Sequence, residues 1–156
     1  MDFIELVNAE RLRYEKMNYI KAQQEILKEY LKDNRVIFCK IGEKVVYGDA
    51  HLLYITPADK VGIEFESHIS EKTIENILNS KYDTDVYLTS EIYQKDKVKL
   101  RCFTDNKELK IYVNEKLLKN FDLKHCTFKG DSPIHGVHIY EYGVQVGYVL
   151  PMRKIH

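Results

Sequence analysis

At Asn34 the hydrophobic period of this chain changes, and the change decides what it can fold into. Before it, Leu12, Tyr19, Ile26 and Tyr30, flanked by Ile20, Leu27 and Leu31, recur at helical spacing. That spacing predicts a helix over about 3–33, or two helices broken near Asn8. After it, short runs of alternating apolar residues follow one another, separated by turn residues. The runs are 35–41, 44–47, 51–56, 61–66, 85–89, 97–103, 108–113, 123–129, 136–140 and 144–150. Gly42-Glu43, Pro57-Ala58-Asp59, Thr104-Asp105-Asn106-Lys107, Asp131-Ser132-Pro133 and Glu141-Tyr142-Gly143 supply the connections. Such a series reads as an antiparallel sheet built from hairpins.

Helical spacing returns twice. Ser70 is suited to cap a helix over 71–80, with Glu71 in its first turn, Ile69 stapling onto Ile74, and Ile74, Ile77 and Leu78 as its buried stripe. A shorter helix is expected over 114–121. The expected fold class is therefore α+β, an antiparallel sheet with two to three helices. With 156 residues and no Gly/Ser/Pro-rich linker, the chain reads as a single domain over 1–156. Within it, 1–33 forms a helical N-terminal segment and 34–156 the sheet and remaining helices.

Lysine plus arginine equals aspartate plus glutamate, 24 each, so the net charge is zero. A monomer that grips DNA by itself needs an excess of phosphate-neutralising charge, and none is present. A local patch remains open: Lys21, Lys28 and Lys32 share one side of the first helix. They read either as a solvated edge or as side chains facing nucleic-acid phosphates, with Glu25 and Glu29 diluting them. No apolar run is long enough to span a bilayer, and the first residues lack the pattern of a signal peptide. Cys39, Cys102 and Cys126 are dispersed and odd in number, which suits reduced thiols in a cytoplasmic protein.

Catalytic signatures are missing: there is no P-loop, dinucleotide fingerprint, nucleophile elbow or CxxC pair. His125, Cys126, His135 and His138 gather in the final hairpins and raise the idea of a metal-dependent hydrolase. Strand alternation, however, is expected to send His135 and His138 to opposite faces, so neither metal nor cofactor is expected. Asp83, Asp85, Asp96 and Asp105 lie in or beside turns, where aspartate is common. Tyr87, Tyr93, Tyr112, Tyr140 and Tyr148 fall on expected strands, either packing across them or forming an exposed tyrosine-rich interface.

The end of the chain carries a further signal. Tyr148-Val149-Leu150 runs into Pro151-Met152-Arg153, a strand stopped by a proline with an adaptable methionine beside it. This ending resembles that of the bacterial DNA polymerase III β sliding clamp, whose last strand runs into Met-Pro-Met-Arg-Leu and walls a peptide-binding groove. Ile111-Tyr112-Val113-Asn114 before Leu117-Leu118 is similar to the strand that enters the leucine-bearing helix of the clamp's last domain. Asp49-Ala50-His51-Leu52-Leu53 is similar to the family's Asp-Gly-His-Arg-Leu loop, the groove's other wall, with Leu52 in place of arginine.

The resemblance implies a DNA-clamp-like domain and a non-enzymatic replication accessory protein, encoded by a phage or mobile element. His51, Leu52, Leu53, Tyr148, Leu150, Pro151, Met152 and Arg153 would line the peptide groove, and Lys21, Lys28 and Lys32 would face DNA. The partners would be replication proteins carrying a clamp-binding peptide. A clamp subunit has three such domains and this chain has room for one, so duplex DNA is a partner only if copies assemble into a ring, a homo-oligomer. The alternative is a protein-binding or inhibitory module unrelated to replication.

Overall fold

The structure, a computed structural model, describes residues 17–33, 35–67, 69–80 and 82–152. Helix α1 (Tyr19–Asp33) leads into strands β1 (Ile37–Ile41), β2 (Lys44–Gly48) and β3 (Leu52–Pro57). Helix α2 (Glu71–Leu78) then precedes β4 (Asp85–Lys95), β5 (Val98–Thr104) and β6 (Lys110–Asn114). The chain closes with β7 (Cys126–Lys129), β8 (Val137–Glu141) and β9 (Val144–Val149). Short 3₁₀ turns cover Ala58–Lys60, Glu115–Leu118 and Leu123–His125. This is an α+β fold with two helices and a nine-stranded antiparallel sheet among the described residues.

The strand order is β1-β2-β3-β9-β8-β7-β4-β5-β6. Three consecutive meanders build it, and the last one made is inserted between the other two. Its β9 pairs with β3 through Leu52↔Val149, and its β7 pairs with β4 through Val86↔Phe128. The β8–β9 hairpin turns on Tyr142 and Gly143, both at positive φ (51° and 79°), the twist that a two-residue hairpin needs. Strand β4 serves two partners. Asp85 and Val86 pair with β7, Tyr87 onward pairs with β5, and a register shift between Leu88 and Ile92 bends the strand.

Alternation along the first meander explains why it is covered on both faces. Phe38, Val45, Tyr47, Leu52 and Tyr54 point into one core with Ala22 and Ile26 of α1. Ile37, Cys39, Val46, Leu53 and Ile55 point the other way, into a second core under Ile74 of α2. The first core continues across the sheet through Phe103, Ile111, Phe128, Ile139 and Val149. A buried carboxylate ties the start of the described chain to the third meander, Glu141 Oε2 accepting from the Met17 amide at 3.0 Å.

Several expectations need correction. The run at 61–66 is not a strand: Val61, Ile63 and Phe65 alternate inward, but their backbone joins no ladder. Instead the Gln23 side chain accepts from the Gly62 amide (2.8 Å) and donates to the Lys60 carbonyl (2.8 Å). Strand β4 runs to Lys95 rather than Thr89. The expected helix over 114–121 is a single 3₁₀ turn, with the Asn114 side chain capping it through the Lys116 amide (3.1 Å). The strand expected over 123–129 starts only at Cys126. The apolar face of α1 is narrower than its sequence suggests, because Ile20 and Leu31 are 71% and 75% exposed. Leu12 and the rest of the helix expected before Met17 lie outside the described residues. Ser70 does cap α2, accepting from the Thr73 amide at 3.4 Å.

Candidate peptide-binding site

The turn between β2 and β3 is locked by one carboxylate. Asp49 Oδ1 accepts from the His51 amide (2.8 Å) and the Leu52 amide (3.1 Å), and the Asp49 amide donates back to the Leu52 carbonyl (3.0 Å). Gly48 permits this close return, since a Cβ there would strike the Leu52 carbonyl. The turn holds out the His51 carbonyl, which accepts from the Leu150 amide at 2.9 Å. Two residues later the Met152 amide donates to the Tyr112 carbonyl of β6 at 2.7 Å. The tail is thus fixed by its backbone on either side of Pro151, while the Leu150 and Met152 side chains stay 37% and 39% exposed.

The other expected groove residues are placed differently. Leu52 lies in the α1-side core and Leu53 in the α2-side core, so they cannot share one wall. Tyr148 also belongs to the α2-side core, its hydroxyl accepting from the Gly136 amide at 3.2 Å. The exposed set is therefore His51, Leu150 and Met152, with Pro151 partly covered; Arg153 lies outside the described residues. The signal that separates wall from core was in the alternation, since adjacent residues of a strand face opposite ways.

The lysines of α1 form a distinct cleft. Lys21, Lys28 and Lys32 are exposed, and the first two line a cavity of about 460 Å³ with Asn18, Glu25, Lys119 and Asn120. Glu25 neutralises one cation through Lys119 at 3.3 Å. It also accepts from the Asn120 amide nitrogen at 2.9 Å, and the same nitrogen donates to the Tyr54 hydroxyl at 3.0 Å. Burial pushes the Tyr54 hydroxyl well above the usual tyrosine range, so it stays neutral here. Lys119 and Asn120 were not legible as partners of α1, because nothing local in sequence brings residues so far apart together. Helices α1 and α2 cover opposite faces of the first meander, so α1 alone carries the expected DNA-facing lysines.

The histidine cluster also reads differently in three dimensions. His135 sits in the turn before β8, where strand alternation does not apply, and both it and His138 meet Tyr82, with ring centroids 6.1 Å and 4.6 Å away. Asp131 and Asp122 engage His135 and His125 through Nδ1 at 2.9 Å and 2.7 Å. His138 is buried; the Gln145 amide nitrogen can only donate, so Nδ1 accepts from it at 2.6 Å and the ring proton sits on Nε2. That Nε2 has no partner among the described residues, and burial lowers the His138 pKa to about 4, against a raising influence from Asp131. Among the described residues no group of three or more His, Cys, Asp and Glu side chains is gathered to hold a metal ion. No helix among them is long and apolar enough to cross a membrane. The chain matches no protein-family model, no curated protein and no solved structure.

Proposed function

We propose that this protein is a non-enzymatic binding module that receives a short apolar peptide at its C-terminal tail, in the manner of a sliding clamp. The observation that carries this reading is the backbone-anchored tail. Leu150 and Met152 are apolar and exposed, yet their amides are fixed to His51 and Tyr112, so a partner meets a surface already ordered. Each anchor side chain buried there is worth on the order of 1.5–3 kcal/mol before ordering costs. The replication role, its partners carrying clamp-binding peptides and a phage or mobile-element origin rest on the sequence resemblance at residues 49–53, 111–118 and 148–153. Duplex DNA joins only through a ring of several copies, with Lys21, Lys28 and Lys32 as its contacts. Three cysteines without disulfides are compatible with a reducing cytoplasm.

Titration of a fluorescent clamp-binding peptide tests the reading. Wild type binds saturably, Met152→Ala binds about tenfold more weakly with little change in melting temperature, and removal of residues from Leu150 onward abolishes binding. A well-folded wild type that shows no saturable binding removes the proposal. A binding module unrelated to replication is the second reading, favoured by Tyr87 and Ile92 of β4, which are 54% and 53% exposed. Partner binding through that surface survives removal of the tail.

A further inference from the structure

Strands β4 and β7 share only two residue pairs, Asp85↔Lys129 and Val86↔Phe128. Beyond them β4 leaves to follow β5, and the sheet parts. The parting leaves a cavity of about 610 Å³, within the range of small-ligand sites. Its walls are largely apolar: Val86 and Leu88 on one side, Leu123 and Phe128 on the other. Cys126 adds to them as a neutral thiol, since burial, with Glu141 and Asp122 nearby, pushes its pKa up to about 12.

Two cations line this apolar space, Arg101 and Lys124. Arg101 is short of acceptors. Its Nη2 donates to the Thr89 carbonyl (2.9 Å), Nη1 makes only a long ion pair with the Glu115 carboxylate (3.7 Å), and its buried Nε has no partner among the described residues. Its side chain is only 20% exposed, so water does little to replace what is missing. A partly buried guanidinium whose carboxylate partner is this distant gains from a closer anion on its exposed side. Asp85, the acidic residue of the lining, is in a similarly long ion pair with Lys129 at 4.0 Å, and Arg101 and Lys124 outnumber it in the cavity wall.

We propose that the cleft between β4 and β7 binds a monocarboxylate with an apolar tail, its carboxylate facing Arg101 and Lys124 and its tail lying between Leu88 and Leu123. Charge complementarity selects the head and the apolar walls select the tail. Calorimetry with decanoate, below its micellar range, and with decanol as the uncharged comparison tests this on the full chain. Wild type binds one decanoate saturably, with decanol about tenfold weaker. Arg101→Gln brings decanoate to the affinity of decanol, and the exposed Lys124→Gln, which spares the fold, reduces the preference several-fold. Methyl resonances of Leu88 and Leu123 shift during the decanoate titration. Loss of the preference in either folded variant supports the site. Equal binding of decanoate and decanol by wild type, no saturable binding, or an unaltered preference in both variants overturns it.

Discussion

His138 is a buried histidine, and burial moves its titration away from that of the free side chain. A free histidine takes up its proton near pH 6.5, whereas burial in the fold delays His138 to about 4. Between those values the unfolded chain holds a proton that the folded one lacks. Stability contributed by the neutral ring is therefore complete above pH 6.5 and is lost as the pH falls toward 4. The full loss is on the order of 3 kcal/mol. Urea denaturation across this window is expected to show wild type weakening more steeply than His138→Phe, whose ring can pack between Tyr82 and Tyr148 without titrating. Parallel slopes for the two proteins would show that the histidine is not the group responsible. The tail makes a related point about single residues. Leu52, Leu53 and Tyr148 resemble groove residues in sequence, but burial commits them to two cores, and among the described groove residues His51, Leu150 and Met152 are the exposed ones.

Elements form here where side chains and backbone agree, and Gln23 shows what happens where they do not. It lies on α1, yet its amide stands in for a strand by pairing with Lys60 and Gly62. Gln23→Leu keeps the helix but leaves two backbone groups without partners, so a loss of about 1–3 kcal/mol is expected in chemical denaturation. Hydrogen exchange at Gly62 should accelerate in the same variant; unchanged exchange there would mean that another group supplies the bond. This substitution also explains a limit of the sequence. Alternation at Val61, Ile63 and Phe65 reports one-sided burial, which is true, but burial does not say what the backbone pairs with. Ser70 and its helix were legible because a cap acts within three residues. The length of β4 was not, because Ile92 and Tyr93 pair with Arg101 and Leu100 across a hairpin whose turn uses Asp96 at positive φ. For the candidate site, the tail was legible as a strand stopped by proline. Its anchors, His51 and Tyr112, lie distant in sequence, and only the topology joins them.

Across the whole molecule, the tail links two meanders that share no strand pairing. Met152 reaches β6, an edge strand of the sheet, and its amide holds the Tyr112 carbonyl. Deleting the residues from Leu150 onward is expected to raise amide exchange in β6 by roughly tenfold, the effect of one lost hydrogen bond, while β1 is unaffected. Equal acceleration in β1 and β6 would indicate general loosening instead. Strand order has a further consequence, for the way the protein is made. A ribosome releases β1 to β3 first and β4 to β6 next, and each group carries a side that waits for a partner not yet synthesised. Strand β3 waits for β9 and β4 waits for β7. Until β7 to β9 emerge, the nascent polypeptide displays these two strand edges, besides those of β1 and β6, to its surroundings, and such edges pair readily with other chains. Emergence of β7 to β9 is thus also the moment of closure, and a translation product truncated before Cys126 keeps both edges bare.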